Sequence, residues 1–218
     1  NAAREACRKA FLKSIVDPSN IKTAGTEPHE ILRNFRAATS AAQREILRAT
    51  WHKKVDEVYE AIQDKIRELR EAGEDVPQHL GSLIGMADVS GSMSGQPMEV
   101  SVALTLFLAA LQEKDGFAPL AISFTNVPMA FDFTGMTLEK RVKKIFAHVG
   151  FSTDFGKAMD LVLDTIKKTR HHMDMVVFTD EQFDRQYNGG NASGRYQYCG
   201  NTSGRSDIWK TFHQRYLQ

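Results

Sequence analysis

The chain reads as an α/β protein: a doubly wound, mostly parallel sheet with one antiparallel edge strand, preceded by a helical segment. Three observations predict this. Apolar residues recur at three- and four-residue spacings through residues 1–80, the period of helices with one buried face. From Gly81 onward, short apolar runs alternate with amphipathic stretches, the rhythm of βαβ units whose sheet is covered on both faces. The first of these runs, SLIGMAD, ends in an aspartate followed by the loop VSGSMSG, and ligands of such sheets collect at the carboxyl ends of the strands.

In the helical segment, AREACRKAFLKSIV forms the first helix and Asp17-Pro18-Ser19-Asn20 ends it. Thr26-Glu27-Pro28-His29-Glu30 is a capped start with Pro28 in the first helical position. One long periodic pattern then runs from His29 until Gly73 and Pro77 stop it. Trp51, Val55, Val58 and Ile62 follow its apolar stripe and are assigned to the core. Lys53, Lys54, Lys65, Arg67 and Arg70 are interleaved with acidic residues and are assigned to a solvated face held by i,i+4 pairs.

The second unit, residues 81–218, opens with the strand SLIGMAD and the helix QPMEVSVALTLFLAALQEK. APLAISFT, followed after Asn126 by VPMAFDF, reads as a hairpin that adds the antiparallel edge strand. TLEKRVKKIFAHV and DFGKAMDLVLDTIKK are amphipathic helices, and MDMVVFTD is a further strand. The Gly-, Asn- and Ser-rich stretch after it reads as a long loop. Within that loop Asn191-Ala192-Ser193-Gly194-Arg195 is echoed by Asn201-Thr202-Ser203-Gly204-Arg205. The echo is either low-complexity repetition or a paired phosphate or partner contact through Arg195 and Arg205.

With 28 basic and 27 acidic residues and a formal net charge of +1, the chain has no global field steering it toward nucleic acid or anionic membrane. No stretch approaches the roughly 20 apolar residues of a membrane helix, and the opening NAAREACRKAFLKSIV lacks the apolar block of a signal peptide. The expectation is a soluble, cytoplasmic protein. Cys7 and Cys199 form neither a disulfide framework nor a metal knuckle and are expected to be free thiols. Starting at Asn1 without Met and stopping within the helical pattern WKTFHQRYLQ, the chain reads as an internal piece of a longer one.

Chemistry concentrates after the first strand. Asp88, Ser90, Ser92 and Ser94 offer one carboxylate and three hydroxyls ahead of a helix, with no Cys or His to favour zinc. A hard cation, Mg²⁺ before Mn²⁺ or Ca²⁺, takes about six oxygens, some of them water, and suits such donors. Thr153 and Asp154 open a later helix and Asp180 closes a later strand, so the candidates converge on one edge. The plainer alternatives are specific. Asp88, Ser90 and Ser92 could be a polar turn capping the helix that begins near Pro97, and Thr153 could be an N-cap. Asp154 could answer a helix dipole, which places it, like Glu181, one step removed from the ion. Glu181 with Asp184 also reads as a solvated acidic turn, and Ser94 as a turn residue. His171 and His172 have no HExxH spacing around them.

Asp88, Ser90 and Ser92 match D-x-S-x-S and resemble the metal-ion-dependent adhesion site (MIDAS) of von Willebrand factor A domains, which have a Rossmann-like fold. The resemblance implies that Ser90, Ser92 and Thr153 hold the metal while Asp88 and Asp180 act directly or through water. Neutral hydroxyl ligands leave the cation short of negative charge, so an Asp or Glu of a protein partner would complete its shell. PHEIL at 28–32, DVSGSMSGQPMEV at 88–100, STDF at 152–155 and FTDEQFD at 178–184 further resemble a TROVE/Ro-like family that joins a helical region to a C-terminal von Willebrand A-like domain. On that resemblance, which runs from about residue 20 to the end, residues 1–80 are a remnant of the helical region and residues 81–218 lack the last one or two strands of the sheet.

The favoured expectation is a metal-dependent binding or scaffold module and not an enzyme. A ribonucleoprotein component binding non-coding RNA is the alternative implied by the Ro-like match. Against it stand near-neutral charge and no interleaving of aromatic and basic residues. A structural role in a large assembly is a third reading. Haloacid dehalogenase-type phosphotransfer needs D-x-D, and here Ser90 stands in place of the second carboxylate, so the general acid is missing. Neither the serine-hydrolase elbow nor the Walker loop occurs.

Overall fold

Local cap chemistry sets the helix boundaries. In the computed structural model, which describes residues 2–79, 81–150, 154–169 and 174–180, helix α1 (Ala2–Ile15) buries none of its residues. Asp17 then accepts a hydrogen bond from the Ser19 amide at 2.9 Å and starts a short 3₁₀ turn. Helix α2 (Pro28–Ala37) begins with Pro28 as expected, and the Glu30 carboxylate accepts from the Glu27 amide at 3.0 Å. The long periodic pattern is not one helix. Ser40 Oγ accepts from the Gln43 amide and Gln43 Oε1 from the Ser40 amide, both at 3.1 Å. This capping box ends α2 and starts a separate helix, α3 (Ala41–Glu71). Lys53 makes the expected i,i+4 pair, with Glu57 at 3.9 Å, but is half-buried, its ammonium also donating to the carbonyls of Pro18 at 2.7 Å and Ile21 at 2.5 Å and pinning the 3₁₀ turn to α3.

From residue 83 the strands and helices follow the predicted order: β1 (Leu83–Asp88), α4 (Gln96–Lys114), β2 (Leu120–Phe124), β3 (Met129–Asp132), α5 (Leu138–Phe146), α6 (Phe155–Thr169) and β4 (Asp174–Phe178). The sheet order is β3-β2-β1-β4. β1 runs parallel to both β2 and β4, and β3 pairs antiparallel with β2 at the edge. Mixed α/β architecture with one antiparallel pair is therefore observed. The 181–218 tail with Arg195, Arg205 and Cys199, on which the expected lack of the last strands bears, and also His171, His172 and Thr153, lie outside the described residues. Among the described residues no helix is long and apolar enough to cross a membrane.

The two sheet faces differ in side-chain size, and that difference places the helices. Gly85, Ala87, Ala121 and Ser123 pair in register as Gly85↔Ala121 and Ala87↔Ser123 and make a shallow face. α4 settles onto it so closely that a Cβ on Gly85 would lie 3.1 Å from Thr105 Cγ2 and 3.3 Å from Thr105 Cα. The opposite face carries Ile84, Met86, Ile122 and Phe124, which pack with Ala158, Met159 and Val162 of α6. α4 also holds the sheet with polar side chains. Gln112 accepts from the Leu83 amide and donates to the Gly81 carbonyl, each at 2.9 Å, and Ser101 Oγ donates to the Phe178 carbonyl at 2.9 Å.

Over the outer side of α4 lie α2 and α3. Ile31, Leu32, Phe35, Trp51 and Val55 share one continuous core with Val102, Leu106 and Phe107 of α4, and the Trp51 and Phe107 rings meet edge to face with centroids 5.5 Å apart. Val58 and Ile62 are half-buried at the margin of this core. Residues 28–71 thus form a further helical layer over the sheet unit.

Candidate metal centre

β1 is the strand from which the chain departs in both directions, to β2 on one side and β4 on the other, so its carboxyl end opens at the reversal point of the sheet. Asp88 closes β1 and is fully buried, and Ser90 is 1% exposed. Asp88 Oδ1 accepts from the Ser90 amide at 3.0 Å, and Asp88 Oδ2 accepts from Thr179 Oγ1 at 2.6 Å. Ser90 Oγ and Ser92 Oγ share a hydrogen bond at 3.1 Å. Between them and α4, a 3₁₀ turn over Gly91–Met93 leads to Gly95 at φ 88°, a conformation that favours glycine and swings the chain into the helix.

The capping alternative does not describe this geometry. Gly95 is the N-cap of α4 and no side chain caps it, while the Asp88 carboxylate is spent on Ser90 and Thr179. Ser94, as expected, is a turn residue, its amide bonded to the Gly91 carbonyl at 3.2 Å.

A second loop closes on the same edge. The Gly150 amide donates to the Val89 carbonyl at 3.1 Å, and the Asp154 amide to the Thr125 carbonyl at 3.3 Å. Gly150 packs against Thr125 so tightly that an added Cβ would sit 2.6 Å from Thr125 Cβ. Asp154 caps α6: Oδ1 accepts from the Lys157 amide at 3.0 Å and Oδ2 pairs with the Lys157 ammonium at 3.1 Å. That is the helix-start role weighed for it from the sequence. Asp180 follows Thr179 beyond β4, is exposed, and lines an open cleft with Met93, Pro97, Val100 and Phe178. Glu181 and Asp184 fall outside the described residues, as Thr153 does.

Two contributors were missed in the sequence, Thr179 and Thr125. The usable signal for Thr179 was its place just before Asp180 at a strand end. Thr125 follows β2 with only a solitary hydroxyl to mark it.

The donor set suits a hard cation. Ligand oxygens in adjacent octahedral positions around Mg²⁺, each at 2.0–2.1 Å, lie about 3 Å apart, close to the 3.1 Å between Ser90 Oγ and Ser92 Oγ. Among the described residues no three His, Cys, Asp or Glu side chains come together, so any ion here would be held chiefly by hydroxyls around the Asp88 carboxylate.

Fold and edge together define an α/β domain with a cluster of oxygen-bearing side chains, Asp88, Ser90, Ser92 and Thr179, at the end of its central strand. The family model described as "Domain of unknown function (DUF7788)" matches residues 82–217, and the chain belongs to that family. The matched stretch begins one residue before β1 and includes Asp88, Ser90, Ser92, Thr153 and Asp180. The chain is also similar to "Uncharacterized protein L728" of Acanthamoeba polyphaga mimivirus, 27% identical over 173 residues that make up 77% of this chain. It spans 27% of the length of that relative. No solved structure matches the chain.

Proposed function

We propose that this protein is a binding module of von Willebrand A type, holding Mg²⁺ at a MIDAS built on Asp88, Ser90 and Ser92 and completed by Thr153 and Asp180. The carrying observation is the pair of serine hydroxyls 3.1 Å apart beside a buried carboxylate at the reversal point of the sheet. The bound ion would supply an electrophilic centre poor in negative ligands, and a partner protein's Asp or Glu would be drawn to it. Asp88 would contribute charge from within the fold, its orientation fixed by the Ser90 amide and the Thr179 hydroxyl. Recognition without chemistry is supported by Ser90, which stands where a phosphotransferase of similar outline carries its acid.

A melting-temperature titration tests this. At Mg²⁺ or Mn²⁺ about a hundredfold above the dissociation constant, binding to the folded state adds about 2.7 kcal/mol, which shifts the wild-type transition upward by several degrees. Asp88→Ala is expected to melt at the same temperature with and without the ion. Identical curves for the wild type with and without metal would sink the metal reading, and turnover of an aryl phosphate would sink the non-enzymatic one.

A further inference from the structure

Helix α4 grips the sheet with two polar side chains, one at the start of β1 and one at the end of β4. Gln112 holds the start of β1 through the Leu83 amide and the Gly81 carbonyl. Ser101 is 2% exposed and donates to the Phe178 carbonyl at 2.9 Å. Phe178 is the residue at which the pairing of β4 with β1 ends, opposite Ala87. A serine inside a helix often turns its hydroxyl back to the carbonyl four residues earlier. Ser101 gives its one proton to a strand instead.

That bond lies one peptide away from the candidate metal centre. The Phe178 carbonyl and the Thr179 amide nitrogen belong to one planar unit, so holding the carbonyl fixes the plane from which Thr179 Cα projects. Thr179 Oγ1 in turn donates to Asp88 Oδ2 at 2.6 Å, and Asp88 is fully buried. The loop with Ser90 and Ser92 leads directly into α4 through Gly95. One helix therefore sets both sides of the centre, the serines by chain continuity and the carboxylate through Ser101, Phe178 and Thr179. Resting on the metal reading above, we propose that Ser101 is a positioning residue of the metal centre: it aligns the Thr179 hydroxyl on Asp88 and so tunes affinity for the ion through the strand end, not as a ligand.

Calorimetric titration of the full chain with Mg²⁺, together with melting in chelator, tests this. Ser101→Ala is expected to bind Mg²⁺ about fivefold more weakly than wild type, the order of one hydrogen bond. In a Thr179→Val background the same change is expected to alter affinity by less than about twofold, because the hydroxyl that carries its effect is gone. Ser101→Cys keeps the size with a weaker donor and is expected to fall between wild type and Ala; it runs the same cycle if the Ala variant does not fold. Gln112→Ala removes the other grip of α4, so it is expected to lower the melting temperature while Mg²⁺ affinity stays within about twofold of wild type. Three results overturn the positioning role alone: unchanged affinity in Ser101→Ala, equal weakening in both backgrounds, or a matching loss of affinity in Gln112→Ala. Absence of Mg²⁺ binding by wild type overturns the metal reading and the positioning role together.

Discussion

Thr179 Oγ1 donates a 2.6 Å hydrogen bond to Asp88 Oδ2 across 91 residues of sequence, tying the end of β4 to the end of β1. The bond fixes one oxygen of the buried carboxylate while the Ser90 amide fixes the other. Thr179→Val keeps the shape and removes the donor. Leaving a buried carboxylate short of one partner costs about 1–3 kcal/mol, so the melting temperature is expected to fall and Mg²⁺ affinity with it. Thr179→Ser is expected to restore both, measured by thermal melting and calorimetry. A Val variant indistinguishable from wild type would remove Thr179 from the site.

Ser92 separates a structural turn from a ligand. Its side chain is exposed and meets only Ser90 Oγ among the described contacts. Ser92→Ala is expected to leave stability in chelator within about 0.5 kcal/mol, the usual range for an exposed position. Mg²⁺ affinity is expected to weaken by about tenfold, the 1.4 kcal/mol of one lost ligand contact. Unchanged metal affinity would reduce Ser92 to a loop residue.

Gly150 is a steric constraint on the same edge. A methyl group there would meet Thr125 Cβ at 2.6 Å and Thr125 Cγ2 at 2.9 Å. Gly150→Ala is expected to cost about 1–3 kcal/mol, the usual penalty of overpacking, and to displace the loop that carries Val149. Gly150→Ala combined with Thr125→Ser removes the clashing Cγ2 and is expected to recover only part of the loss, because Cβ remains. Chemical denaturation reads both.

On the far side of α4, Tyr59 Oη donates to Asp115 Oδ1 at 2.7 Å. That hydrogen bond, and then burial, raise the Tyr59 phenol above its ordinary value of 10.0. The folded state therefore keeps the phenol protonated where the unfolded chain begins to ionise. Stability from this bond is complete below pH about 10 and declines as the pH rises through the folded value. Tyr59→Phe is expected to lower stability by about 1–2 kcal/mol at neutral pH and to flatten the alkaline decline in a melting series from pH 8 to 11.

Trp51 tests whether the N-terminal helices and the sheet unit unfold together. It is 2% exposed and packs on Phe107 of α4. Trp51→Ala is expected to cost about 3–5 kcal/mol, with helix and sheet signals lost in a single transition. Two separated transitions would show that the shared core does not couple them.

Residue order and local chemistry determined a good deal. The alternation of apolar runs set β1, α4, β2, β3, α5, α6 and β4 in their observed order, because periods of 2 and 3.6 are written into neighbouring residues. Pro28 and the Asp88 loop were equally readable, since helix starts and strand-end aspartates are local signatures. The break at Ser40 was also written locally, as Ser40 and Gln43, but an apolar stripe spanning it masked the cap.

Only the tertiary structure decided the rest. That α2 and α3 lie on α4, that Lys53 holds the carbonyls of Pro18 and Ile21, and that Thr179 and Thr125 frame the site depend on residues brought together across long sequence separations. Such contacts follow from packing a shallow sheet face and closing two strand ends on one edge, which no local period encodes. Asp88, Ser90 and Ser92 were visible as a motif from the start. The fold added the hydrogen-bond partners that hold Asp88 inside the protein and the backbone contacts of Gly150 and Thr125 that close the same edge.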